Sequence, residues 1–261
     1  MAPAIRRRGR WRKRWIYVAA FCEELMACAA RVEVGPFGQT FWAILDRGSG
    51  EFRERTRGRP PRRRGEVWGD RDLVRIASPA VQGALRFGAA RAIEVTVPAG
   101  EGHSVWTRKA AGMPVELDLE IGGRRVRLEG RGVTDETCGY HPHHTVWSWA
   151  AGVGRAADHR RVAWSLVQGI NDPEAGSERA IWIEDEPFEP ARVTFDGLAA
   201  IDFAGGARLA FAAEAERSRD EDRLIVRSRY RQPFGRFEGA LPGGVALDHA
   251  FGVMEHHDAR W

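Results

Sequence analysis

Apolar positions in this chain come in short runs, rich in Val, Ile, Trp and Phe and separated by Gly, Pro or charged residues. An amphipathic helix would repeat its apolar positions at i, i+3 and i+4 over roughly 11 or more residues, and that spacing is scarce. The runs therefore predict strands: Trp15 to Cys22, Leu25 to Val34, Thr40 to Asp46, Ile93 to Val97, Val115 to Ile121, Arg125 to Leu128, His144 to Ala151, Arg161 to Gln168, Ala180 to Ile183, Arg208 to Glu216, Leu224 to Tyr230 and Ala250 to His256. Gly122-Gly123 and Gly205-Gly206 are tight-hairpin signals. About a dozen strands with short reversals and no crossover helices predict an all-β, antiparallel chain of two barrel or barrel/sandwich halves. Gly130, Gly132 and Gly139 mark residues 129–139 as the junction, giving halves over 1–130 and 131–261. No sequence repeat links the halves. Gly152-Val153-Gly154-Arg155-Ala156-Ala157 fits the G-x-G-x-x-A dinucleotide fingerprint, but the strand starting at Arg161 leaves no length for the helix that would hold a pyrophosphate. It reads as a hairpin turn.

With 261 residues and 43% hydrophobic content, the chain is long enough to bury one large core or two smaller ones. Its net charge of +4 is uneven, because residues 1–66 hold 16 Lys and Arg against 7 Asp and Glu. Only Lys13 and Lys109 among the 40 basic residues are lysine, which with heavy use of Ala and Gly fits GC-rich coding. The densest basic run, Arg53 to Arg64, surrounds Pro60 and Pro61, which a central strand does not tolerate, so it reads as a solvated loop. Its alternative is a patch for anionic surfaces. The run holds no aromatic residue for stacking, and nucleic acid is not the expected partner.

Cys22, Cys28 and Cys138 are an odd number without CxxC spacing, so no disulfide framework or zinc ribbon is indicated and a cytoplasmic setting is expected. Arg6 to Arg14 followed by Trp15 to Cys22 imitates a signal peptide. Glu23 and Glu24 end that apolar run far short of the roughly 18 residues of a membrane span.

Five of the eight histidines fall in two places: His141, His143 and His144 ahead of Trp147 and Trp149, and His256 with His257 between Glu255 and Asp258. Three readings stand. His141 and His143 form a His-x-His pair able to ligate zinc with His257 or Glu255, although Pro142 leaves the direction of His141 open. Alternatively, the imidazoles hydrogen-bond across a barrel mouth as structural groups. In the third reading they belong to a metal-free polar site that handles a ligand. No metal or other cofactor is expected. On an extended strand His143, Thr145, Trp147 and Trp149 share one face, the expected interior, and His144, Val146 and Ser148 the other. Charges within strand-like segments are a second oddity: Glu178 with Arg179, Glu214, Glu216 with Arg217, and Arg227 with Arg229. Any that faces inward must be paired. The simplest arrangement is a solvated ladder of Glu214 and Glu216 against Arg227 and Arg229.

Tyr140-His141-Pro142, Trp147 to Gly152, Gly169-Ile170-Asn171-Asp172, Ser177 to Trp182, Arg231 to Gly235, Leu241 to Gly244 and Gly252 to Asp258 together resemble a family of domains of unknown function, the one numbered 2804. The N-terminal half resembles it more loosely, through Trp11-Arg12-Lys13-Arg14-Trp15 and Leu45-Asp46-Arg47. That family has no established activity. The resemblance implies a fold similar to the tandem-lipocalin proteins, AttH and carotenoid hydratases among them, and with it an apolar small molecule held in a lipocalin-like β-barrel. Hydratase or isomerase chemistry on such a ligand needs an acid able to protonate carbon and a wall that shields the resulting cation. Glu255, Asp172 and Asp258 are the candidate acids, and His143 and His257 the candidate proton carriers. Trp147, Trp149, Trp164 and Tyr140 are the candidate ligand walls. Asp172 also fits an Asn-Asp-Pro turn. The competing reading is a non-catalytic interaction protein that meets anionic surfaces with its basic N-terminal region.

Overall fold

The computed structural model describes residues 4–59, 65–223 and 226–261, and all regular structure among them is antiparallel strand. A short ribbon of β1 (Arg6–Arg7) and β2 (Arg10–Trp11) precedes the first large sheet. That sheet holds β3 (Lys13–Phe21), β4 (Leu25–Val34), β5 (Phe37–Asp46), β6 (Glu51–Arg59), β7 (Val67–Gly69), β8 (Leu73–Ala77), β9 (Val81–Phe87), β10 (Ile93–Pro98), β11 (Ser104–Ile121) and β12 (Arg124–Gly139). The second holds β13 (His144–Ala156), β14 (Arg161–Gln168), β15 (Ala180–Ile183), β16 (Glu186–Phe188), β17 (Val193–Asp196), β18 (Ala200–Phe203), β19 (Arg208–Arg223), β20 (Val226–Leu241) and β21 (Val245–Arg260).

Both sheets follow one path and form half-barrels. The first strand, β3 or β13, lies mid-sheet and three strands step outward from it. The chain then crosses to the far edge and steps back, until the last strand, β12 or β21, pairs with the first. The halves thus share a topology without a sequence repeat.

Three apolar layers follow from strand alternation. Val18, Leu25, Trp42, Leu85 and Leu117 fill the first half-barrel, and Leu166, Ile181, Ile201, Phe237 and Met254 fill the second. A third layer, including Tyr17, Phe41, Trp149, Val167 and Phe234, lies between the sheets. Strand β3 serves two layers at once, since Ile16, Val18 and Ala20 face the first interior while Tyr17, Ala19 and Phe21 face the layer between the sheets. Burial on both faces is why it reads as an unbroken apolar run resembling a signal-peptide core.

Several expectations are corrected. Residues 129–139, read as a junction, are the second half of β12, and the change of sheet falls between Gly139 and His144. Gly132 is a strand position where a Cβ would stand 2.6 Å from the Phe87 ring, so it records close packing. Likewise Gly152 to Ala156 are strand rather than turn, with a Cβ at Gly152 falling 2.4 Å from the Trp164 ring, and the turn comes after Ala156. The basic run is not wholly loop: its first residues form β6, where Arg55 pairs with Glu66 at 3.0 Å and Arg53 with Glu51 at 2.5 Å. Pro60, Pro61, Arg62, Arg63 and Arg64 lie outside the described residues, as do Leu224 and Ile225. The expected ladder also changes partners, because Arg227 and Arg229 stand opposite Asp222 and Asp220 in the β19–β20 register. Glu216 pairs instead with Arg231, and Glu214 with Arg47.

Candidate ligand-binding cavity

Between the two sheets lies a cavity of about 780 Å³. It opens past exposed Phe37, Arg57 and Gly58 and ends on a buried floor of Trp149, Lys109, Asp135, Glu178 and Glu255. The expected location, inside one barrel, is taken up by packed side chains. The cavity occupies the opposite face of those same strands.

Cross-strand register assembles the floor. Trp149 stands opposite Glu255, Trp147 opposite His257, Tyr230 opposite His257, and Asp135 opposite both Tyr17 and Lys109. Directly opposed residues share a face, so these side chains converge. The Tyr17 ring meets the Trp149 ring edge-on at 5.3 Å, and Trp147 lies 4.3 Å from the His257 ring.

Glu255 is the distinctive acid. It accepts hydrogen bonds from Trp147 Nε1 at 2.8 Å and Gln232 Nε2 at 3.0 Å, and it makes no ion pair among the described residues. Burial lifts its carboxyl to about 7, against the opposing pull of its Trp147 and Tyr230 neighbours. The Tyr17 and Tyr230 hydroxyls are buried beside it, and burial holds both phenols well above their ordinary pKa. A carboxyl of this kind carries a proton near neutral pH and can deliver it to a bound molecule.

Other charges deep in the cavity are paired, Lys13 apart. Lys109 Nζ lies 2.7 Å from Asp135 and 3.2 Å from Glu178, which also accepts from Asn171 at 3.1 Å. Burial pulls the Lys109 pKa down, but the two carboxylates outweigh it and hold the amine above its ordinary value. Burial raises Glu178 against the pull of Lys109. Arg217 meets Glu54 at 3.1 Å and lies over the Phe41 and Tyr230 rings at 3.9 and 4.8 Å.

Of the candidates named from sequence, Glu255, His257, Trp147 and Trp149 meet in this cavity. His257 is held neutral, since burial lowers it to about 3, and it shares a 2.7 Å hydrogen bond with Ser228 Oγ. The others lie elsewhere. His143 precedes β13, is exposed, and pairs with the Trp261 carbonyl at 2.7 Å. Asp172 is bound to buried Arg179 in the loop ahead of β15. Trp164 faces the second half-barrel's core against Phe237, because β14 alternates and it is Val167 that reaches the cavity. Tyr140 donates to the Ala4 carbonyl at 2.6 Å and packs on His103. Asp258 pairs with His144 on the face turned away from the cavity. His141 is buried against Trp15 and, through burial, lowered to about 3; no group of three metal-ligating side chains occurs among the described residues. Sequence reasoning missed Tyr17, Lys13, Lys109, Asp135 and Tyr230. The one available signal was the lysines, since both of the chain's two lysines line this cavity.

The fold and the cavity define a class: a two-half, lipocalin-like β protein with a chamber between its halves. Residues 69–261 match the model of a domain of unknown function (DUF2804), and the chain belongs to that family. Among solved structures it is similar to a Nitrosomonas europaea protein assigned as AttH, with TM-score 0.62 and 12% identity over 94% of this chain and 92% of that one. It is also similar to kievitone hydratase from Nectria haematococca, with TM-score 0.61 and 11% identity over 94% and 88%. No curated protein sequence matches it.

Proposed function

We propose that the cavity binds an apolar small molecule and that Glu255 acts on it as a general acid, in the manner of a hydratase or double-bond isomerase. The observation that carries this is a buried carboxyl without a cationic partner, standing beside two buried phenols on the floor of an aromatic-walled cavity. In the step envisaged, the Glu255 proton goes to one carbon of a substrate double bond and leaves a cation on the other. The faces of Trp147, Trp149 and Tyr17 stabilise that cation by their ring quadrupoles. Water adds to it and returns a proton to Glu255, so alkene and water give alcohol. Loss of a neighbouring C–H proton to Glu255 gives the shifted alkene instead. The likeness to a protein named as a hydratase supports the chemistry by fold analogy alone.

The test has two arms. Titration with N-phenyl-1-naphthylamine, a neutral dye that fluoresces in apolar surroundings, should saturate at one site, and Trp149→Arg should block it. Incubation with a mixed isoprenoid extract in water labelled with oxygen-18 should yield products heavier by one labelled water, or isomers at unchanged mass, and Glu255→Gln should abolish both. No dye binding refutes the cavity; unaltered turnover by Glu255→Gln refutes the acid.

A further inference from the structure

The second lysine of the chamber is the exception to its pairing rule. Lys13 is 1% exposed and lines the cavity, yet no carboxylate stands within ion-pair distance of it among the described residues. Its Nζ donates to the His141 carbonyl at 3.0 Å and sits 5.2 Å from the centre of the Trp261 ring. A carbonyl and a ring face both favour a cation, and an ammonium has three donors, so this arrangement leaves donors unspent. Lys109 shows the contrast: it is equally buried and engages two carboxylates.

We propose that Lys13 anchors the anionic end of the ligand, so that the molecule this chamber takes is an elongated amphipathic anion, with a carboxylate, sulfonate or phosphate held between Trp15 and Trp261. The inference rests on the reading of the chamber as a ligand site and adds the class of ligand. Geometry gives the length. Lys13, Trp15 and Tyr17 share one face of β3, and four residues of strand rise place Lys13 about 13 Å from Tyr17, which borders Glu255. An anion bound at Lys13 therefore presents to the acid a carbon roughly 13 Å away, with the intervening apolar body against Trp147 and Phe41. Burial and the nearby Arg10 lower Lys13 to about 8, the response of an ammonium without a counter-charge. Arg10 itself is already paired with Glu101 at 2.8 Å.

Two dyes with one ring system separate the outcomes. 8-Anilinonaphthalene-1-sulfonate is N-phenyl-1-naphthylamine with a sulfonate added. The folded protein should bind the sulfonate roughly tenfold or more tighter than the neutral dye, the effect of one charge-assisted contact. Lys13→Met should erase that preference while the neutral dye still binds, and Lys13→Arg should keep it. Near-ultraviolet circular dichroism of each variant checks that the chamber is folded. Equal binding of both dyes by the parent protein, or a preference that survives Lys13→Met, overturns the anchor and leaves the apolar chamber standing. Loss of both dyes in Lys13→Met also overturns it, since Lys13 then serves the fold. Binding of neither dye to the parent protein overturns the chamber reading and the anchor together.

Discussion

The interiors of the two half-barrels and the layer between them are built by the same alternating strands, and they differ in what those strands deliver. Inside the half-barrels the clustered side chains are apolar and packed, from Trp42 and Leu85 to Trp164 and Phe237. Between them, six of the eight buried Lys, Arg, Asp and Glu side chains of the described residues line one cavity: Lys13, Lys109, Asp135, Glu178, Arg217 and Glu255. Burying a charge costs several kcal/mol unless it is paired, so a fold concentrates them where pairing or a ligand offsets that cost. The interiors hold the protein together, and the layer between them has the groups for chemistry.

The sharpest way to break this contrast is to damage each region equally. Phe237→Ala, in the second interior, should lower stability by about 3–5 kcal/mol in urea unfolding and leave dye affinity of the folded fraction unchanged. Lys109→Met should cost a similar ~3–5 kcal/mol, because it strands Asp135 and Glu178, but it should also change dye affinity. Equal effects on affinity would erase the distinction.

A second test uses pH. Glu255 at about 7 lies above its ordinary 4.5, so its ionisation opposes folding. Its contribution is intact below that ordinary value and is lost as pH rises through 7, by roughly 3 kcal/mol. His141 and His257, both lowered from 6.5 to about 3, act in the opposite sense: their contribution is intact above 6.5 and is lost as pH falls toward 3. Measured unfolding free energy should therefore rise with pH as the two histidines lose their protons, with Glu255 blunting that rise between about 4.5 and 7, and level off above 7. Glu255→Gln should steepen the profile between about pH 4.5 and 7 alone, and a profile left unchanged there would contradict the assignment.

The smallest effect is expected outside both regions. His143→Ala removes an exposed hydrogen bond to the Trp261 carbonyl and should shift stability by less than about 0.5 kcal/mol, with dye binding unaltered. A large loss of binding would return His143 to the site.

Much of the fold was legible because alternation and turn chemistry are local. Leu25–Val34, Arg161–Gln168 and Ala180–Ile183 were read to the residue, and Gly122 and Gly123 turn with φ of 56° and 83°. Longer strands were truncated. In β11 only Val115 to Ile121 was recognised, since the stretch carrying Lys109 and the bulge between Ala111 and Met113 breaks the apolar rhythm. Glu255, His257, Trp147 and Trp149 were legible as local clusters of unusual residue types.

What the sequence by itself determined is therefore the all-β class, most strand positions, the family resemblance, and the C-terminal residues of the candidate cavity. Tertiary structure alone decided which face of each strand meets the other half. It also brought Tyr17, Lys109, Asp135, Glu178 and Tyr230 to Glu255 from across the chain. The physical reason is that period-two alternation states which residues share a face without naming what that face packs against. Here strands such as β3 and β13 bury both faces, so hydrophobicity could not separate the packed interiors from the chamber. The two lysines in a chain of arginines both line the chamber, and only the tertiary structure showed that one is paired and the other is not.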